Sequence, residues 1–294
     1  MNNNQPEHTQ KLVLACIDGS ILTEAVCDYA AWITQRIDAP LKLLHTINHH
    51  HETAVTTDLS GNIGLGSQES LLEEISELEQ QQSKLKLQKG KLLLQAAKDR
   101  VIKAGISNPI CSKRHGGLIE SLIELEDNIR VLVLGVRGQV HDNQNNKIGA
   151  KLEVVIRSLH RPILIVNSSF KEPQRIMIAY DGSEAADKAI EMVAKSPLYK
   201  GLTCHLVCVN NNVANAENLL QQASEKLKTA NELTLISASL TGKADLELCA
   251  YQEKHAIDLT IMGAFSHTRL REMLLGSFTV KMLLHTKKPL LLLR

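Results

Sequence analysis

Two tandem doubly wound α/β domains are what this sequence predicts, and three observations carry that expectation. Short runs of Val, Ile and Leu without polar alternation recur along the chain, as they do in strands buried on both faces of a parallel sheet. Stretches of helical character separate them, so strand and helix alternate. The alternation then happens a second time, in the same order. "KLVLACIDGS" at 11–20 returns as "RIMIAYDGS" at 175–183, "RVLVLGVRG" at 130–138 as "DLTIMGAFS" at 258–266, and "RPILIV" at 161–166 as "KPLLLL" at 288–293. Repeats matched in order along both halves indicate a duplicated domain. The polar stretch "NSSFKEPQ" at 167–174 separates them, giving an amino-terminal domain over 1–168 and a carboxyl-terminal domain over 173–294.

The second half is the plainer of the two. A strand is expected at 175–180, then a helix from Ser183 to about Ala194, a strand at 203–209 and a helix across 214–230. A strand at 233–239, a helix at 243–255, a strand at 258–263, a helix at 276–285 and a strand at 289–293 complete it. The first half is longer: Asp18 and Gly135 stand 117 positions apart, whereas Asp181 and Gly263 stand 82 apart. The surplus lies in an insert at 49–104. Its Gly- and Thr-rich part, 52–68, offers little to bury and is expected to be a mobile loop. From Ser70 onward Leu71, Ile75, Leu78, Leu85 and Leu92 fall on a 3–4 spacing interrupted by Gln82 and Lys89, the pattern of an amphipathic helix. That helix either packs on its own sheet or projects to meet a partner.

Composition narrows the function classes. Lys plus Arg number 33 against 32 Asp plus Glu, so no electrostatic excess points to nucleic acid or an anionic membrane. Aromatics are 3%, too few for a base-stacking platform, and no apolar run approaches the length of a membrane span. Neither nucleic acid nor membrane is therefore an expected partner. The six cysteines form no Cys-x-x-Cys pair and no disulfide framework, and the start "MNNNQPEHTQ" is not a signal peptide. A reducing, cytoplasmic setting follows.

In open α/β sheets ligands collect beyond the carboxyl ends of the strands. Both Asp-Gly-Ser segments and both Gly-containing loops follow strands, and a glycine-rich turn opening a helix suits phosphate. In the second half Gly276 and Ser277 would open the last helix, with Ser277 and Thr279 as hydroxyl donors and Arg269 and Arg271 nearby. An ordinary helix cap explains the Gly-Ser pair equally well.

Asp-Gly-Ser after the first strand, Gly-x-x-[Gly]-x9-Gly-Ser after the fourth, then Lys-Pro and an aliphatic strand together resemble the universal stress protein family, twice over along nearly the whole chain. The resemblance implies a HUP/Rossmann-like five-stranded parallel sheet flanked by helices in each domain. It implies that the terminal strands 161–166 and 288–293 pair, so that one chain forms its own pseudo-dimer. It also implies ATP as a ligand, with or without Mg²⁺, since some members bind it. By that resemblance Ala179, Tyr180 and Asp181 contact base and ribose, and Cys208 offers its backbone to adenine. Met262 and Gly263 begin the phosphate loop, and Gly276, Ser277, Phe278 and Thr279 close it. Ser266 stands where the family has its middle Gly, a position at which positive φ disfavours a side chain. The first half departs further. Gly135 and Gly138 are kept, but ten residues rather than nine lead to Gly149, Ala150 removes the hydroxyl, and Asp142 brings a negative charge. ATP is thus expected in the carboxyl-terminal domain only, with the first domain as structural partner.

The remaining candidates are weaker. "HHH" at 49–51 has no Cys or acidic partner at motif spacing, and His45, His205 and His285 read as core or edge residues. Cys204 and Cys208 share a strand face at a separation no disulfide spans. Asp18 and Asp181 lack a second carboxylate recurring beside them, so paired acids for general acid–base work are not identifiable. The expected function is a cytoplasmic stress-response protein that binds an adenine nucleotide and acts through conformation or partners rather than as a dedicated enzyme. A scaffold that has lost the nucleotide is the alternative, and a slow ATP-hydrolysing enzyme a third. Homodimerisation of the whole chain stays open.

Overall fold

The computed structural model describes residues 10–47, 65–136, 150–228, 232–264 and 277–294, with side chains described for all of these except 65–73 and 150. The first half runs β1 (Leu12–Cys16), α1 (Thr23–Ile37), β2 (Leu41–Ile47), α2 (Leu65–Lys103), β3 (Ile110–His115), α3 (Leu118–Leu125), β4 (Ile129–Gly135), α4 (Ala150–Ser158) and β5 (Ile163–Val166). The second runs β6 (Arg175–Ala179), α5 (Glu184–Lys195), β7 (Thr203–Val209), α6 (Val213–Lys228), β8 (Thr234–Leu240), α7 (Ala244–Lys254), β9 (Leu259–Gly263), α8 (Ser277–His285) and β10 (Leu290–Leu293). Short 3-10 turns occupy Glu126–Asn128 and Pro197–Tyr199.

Among the described residues all ten strands belong to one sheet, in the order β3-β2-β1-β4-β5-β10-β9-β6-β7-β8. Within each half the neighbours are parallel, and β5 meets β10 antiparallel, with Leu290 opposite Ile165 and Leu292 opposite Ile163. The two five-stranded sheets are therefore edge to edge, and the carboxyl ends of their strands point in opposite directions.

Alternation along the strands sorts side chains between two helical layers that run across both halves. Val13, Ala15, Ile176, Ile178, Leu206 and Leu291 face α1, α5, α6 and the end of α2. Leu14, Leu132, Met177, Met262, Leu290 and Leu292 face α3, α4, α7 and α8. Burial of these aliphatic faces is the main stabilising term. Among the described residues no helix is long and apolar enough to cross a membrane.

The segment between the halves is pinned by one buried carboxylate. Asp258, whose side chain is 1% exposed, accepts from Lys171 Nζ at 2.7 Å and from the amides of Gln174 and Arg175, both at 3.0 Å. Burial alone would raise its pKa; those three hydrogen bonds outweigh it and hold the carboxyl below its ordinary value. Asn167 Nδ2 donates to the carbonyls of Thr286 and Lys288, each at 2.9 Å, and Arg36 donates to those of Leu198 and Lys200. Phe170 packs edge-on against Tyr29, ring centroids 4.8 Å apart.

One expectation for the insert needs correction, and one question left open is answered. Residues 65–68, placed in the mobile loop, are the first turn of α2; residues 52–64 lie outside the described part. The apolar series Ile75, Leu78, Leu85 and Leu92 does not pack on the sheet, for all four are exposed. The buried stripe is Gly90, Leu94, Ala97 and Val101, at helical spacing. Gly90 is needed there, because a Cβ would stand 2.8 Å from the His45 ring.

All six cysteines are free, five of them buried or half-buried and Cys111 exposed. Burial pushes the thiols of Cys16, Cys27 and Cys204 up to about 12. Since the thiolate is the reactive form, a disulfide exchange reagent should titrate Cys111 quickly in the native protein and all six thiols after denaturation. Fewer than six in denatured, unreduced protein would contradict the reading of free thiols.

Candidate functional site

A cleft opens at the carboxyl ends of β6, β7 and β9, beside the point where strand order reverses between β6 and β9. Its volume is about 160 Å³. Ala179, Val207, Val209, Leu248, Met262 and Phe278 supply apolar walls, and Asp181 is the carboxylate at its edge. These walls belong to the layer of α7 and α8, so the cleft lies on one face of the sheet only.

The Asp-Gly-Ser segment that delivers Asp181 is first of all a turn. Asp181 Oδ1 accepts from the Ser183 amide at 2.9 Å, Gly182 takes φ 75°, and Ser183 Oγ caps α5 by accepting from the Ala186 amide at 3.1 Å. The second oxygen of Asp181 takes no hydrogen bond among the described residues, and the side chain is exposed. The first half repeats the turn: Asp18 Oδ1 accepts from the Ser20 amide and from Thr23 Oγ1, and Gly19 takes φ 79°. Turn-making alone thus accounts for the motif in both halves.

Tyr180 lines the cleft, yet its hydroxyl donates to Asp187 Oδ1 at 2.8 Å. Burial, then the bond to Asp187, raises its pKa. Asp187 also accepts from Lys226 Nζ at 2.9 Å; burial pulls its pKa up, but the bonds from Lys226 and Tyr180 prevail and lower it. This chain of bonds ties α5 to α6 and fixes the wall that carries Tyr180.

Three candidates are held by contacts within the protein. Thr279 Oγ1, buried, donates to the Ala264 carbonyl at 2.7 Å. A hydroxyl has one proton to give, and in this structure that of Thr279 joins the start of α8 to the end of β9. Gly263 is required by packing: a Cβ there would come 2.7 Å from the Ala185 Cβ on α5. Cys208 is 1% exposed with its side chain on the α1, α5 and α6 face, away from the cleft. The side chains of β7 that line the cleft are its neighbours Val207 and Val209. Strand alternation was the signal that finds them, because residues flanking Cys208 must face the opposite way. Ala244 and Leu248, one turn apart on α7, also line the cleft and were not expected.

Ala179, Tyr180, Asp181, Met262, Gly263, Phe278 and Thr279 are thus brought together around one cleft. Ser277, exposed, opens α8. Ser266 and Gly276 lie outside the described residues, as do Gly138, Asp142 and Gly149 of the first half. Of the lone histidines, His205 is a core residue whose Nδ1 stands 2.9 Å from Tyr251 Oη, its pKa lowered mainly by burial. His45 Nδ1 stands 2.6 Å from the Ile17 carbonyl.

Comparison with known proteins gives a consistent result. The family model described as "Universal stress protein family" matches residues 10–167 and again 172–294. A Synechocystis protein (strain ATCC 27184 / PCC 6803 / Kazusa), universal stress protein Slr1230, is 35% identical over 97% of this chain and 100% of its own length. A universal stress protein of Archaeoglobus fulgidus DSM 4304 superimposes with a TM-score of 0.69 at 17% identity, over 96% of this chain and 98% of that one. A functionally unknown protein of Pseudomonas aeruginosa PAO1 superimposes with a TM-score of 0.60 at 14% identity, over 97% and 92% of the two chains.

Proposed function

Because the chain belongs to the universal stress protein family, in tandem two-domain form, we propose that its second half binds an adenine nucleotide and that the protein acts in stress response through that binding. The observation that supports this reading is the cleft itself. Seven apolar side chains face a space of about 160 Å³ beyond the strand ends, and a carboxylate stands at its edge. Such walls accept a flat heterocycle, and Asp181 Oδ2 is suited to accept from ribose hydroxyls. Drug-sized ligands occupy pockets of roughly 300 Å³ or more, so this cleft holds the base while phosphates extend beyond the described walls toward the start of α8. Ser277, exposed at that start, offers a hydroxyl and a helix-end amide.

Binding rather than turnover is the proposed activity. Among the described lining residues Asp181 and Tyr180 are the ionisable ones, and the Tyr180 proton is already directed to Asp187. A second reading, a scaffold without nucleotide, draws support from Thr279 and Gly263, whose roles packing and loop closure already explain.

Calorimetry with ATP on the full chain separates the two. The wild type should give a binding isotherm, Val209→Trp should abolish it by filling the cleft, and Asp181→Ala should weaken it by about tenfold or more. Absence of heat with the wild type at millimolar ATP would leave the scaffold reading in place.

A further inference from the structure

The amino-terminal part of α2 stands off the fold. From Glu74 to Lys89 every residue is exposed or half-buried; Gly90 is the first buried one. A helix of 39 residues at 1.5 Å per residue is about 58 Å long, and from Glu74 to Lys89 it buries no residue against the rest of the described residues. An isolated helical arm gains nothing from packing, and most helical stability in proteins comes from a buried apolar face.

This arm carries such a face. Ile75, Leu78, Leu85 and Leu92 are 39%, 53%, 65% and 71% exposed. In the sequence leucines recur at 71, 78, 85 and 92, one per heptad, with Ile75, Gln82 and Lys89 at the alternate core positions. A strict seven-residue repeat is the signature of two helices supercoiling around each other. The same segment is divided by charge. Glu74, Glu77 and Glu79 fill its first part, and Lys84, Lys86, Lys89 and Lys91 its second. Two copies laid parallel would set acid against acid and base against base. Laid antiparallel, each acidic part lies along the other's basic part.

We propose that α2 is a dimerisation arm that pairs antiparallel with α2 of a second copy of this chain. The register that stacks Ile75 against the second copy's Leu92 also stacks Gln82 against Leu85 and Leu78 against the aliphatic stem of Lys89. In that register Glu79 lies beside Lys86 twice, once on each side of the axis. Gln82 falls near the midpoint, where a polar core residue favours one alignment over slipped ones at some cost in stability. Three heptads make a modest interface, so the dimer is concentration-dependent.

Sedimentation equilibrium of the full chain tests this. The wild type should reach twice the chain mass as concentration rises. Leu78→Lys with Leu85→Lys should weaken association by at least about tenfold and, at concentrations where the wild type is monomeric, leave the unfolding midpoint unchanged, since both side chains are exposed in the monomer. Reversing the acidic part alone (E74K, E77K, E79K) should also abolish pairing, and adding K84E, K86E and K91E to the same chain should restore it. A wild type that stays monomeric at every concentration overturns the proposal, and so does a dimer that survives the two leucine substitutions. A dimer untouched by the acidic reversal alone overturns the antiparallel arrangement.

Discussion

Replacing Asp258 with alanine will destabilise the protein by about 2 kcal/mol, because the change removes three hydrogen bonds at once and leaves two part-buried amides without their acceptor. The carboxylate accepts from the backbone of Gln174 and Arg175 and from Lys171, and it is the element that holds the start of the second half against β9. Thermal unfolding followed by circular dichroism measures the loss. Lys171→Met is the control: that lysine is 63% exposed, so removing its charge should cost less than about 1 kcal/mol. If the two substitutions lower the midpoint equally, the amide bonds are not what makes Asp258 matter. The pH dependence has a definite sign. A carboxyl held below its ordinary pKa in the folded state contributes fully above its unfolded value of about 4 and loses that contribution as pH falls through the folded value. Asp258→Ala should therefore remove part of the stability loss seen on acidification below about pH 4, while lowering stability at neutral pH.

Residues 1–168 expressed alone will not remain monomeric. Removing the second half strips β5 of its antiparallel neighbour β10 and exposes a row of four aliphatic residues, Ile163 to Val166, each no more than 2% exposed in the whole chain. An edge strand of that kind recruits another strand, and a second copy's β5 in antiparallel alignment is the nearest substitute for β10. Light scattering on the purified fragment should report a dimer or larger species, or the fragment should be insoluble. A soluble, stable monomer would mean that the pairing of β5 with β10 adds little to the fold.

Much of this fold was legible in the residues because its signals are local and repeated. Each aliphatic run in the second half became a strand whose ends fall within a residue or so of those expected, and Ser183 caps α5 as its position implied. The candidate cleft was legible in outline for the same reason: motifs after strands must gather at one sheet edge. What escaped was orientation. Cys208 was named for its backbone alone; alternation turns its side chain to the far face, and the side chains of β7 that line the cleft, Val207 and Val209, were not named. Gly263 resembled a phosphate-loop glycine, but its missing side chain is demanded by Ala185, a residue 78 positions earlier that no local pattern connects to it. Thr279 was read as a donor to ligand, and only the folded chain reveals the Ala264 carbonyl that takes its proton. In α2 the apolar spacing was evident, but spacing alone does not say whether a stripe faces inward. The buried contacts of Gly90, Leu94, Ala97 and Val101 decide that it does not.

The seam between β5 and β10 has an inherited consequence. When two identical chains join edge to edge, every substitution occurs twice, once on either side of the axis, and both copies must tolerate it. Here the two sides are encoded separately, by 163–166 and 290–293. The eight residues 167–174 between the halves keep the two edges together at any dilution. Each side has been free to diverge without its change being mirrored. One half could lengthen its second helix into an arm and let its glycine loop drift, while the other kept a cleft of ligand-like shape.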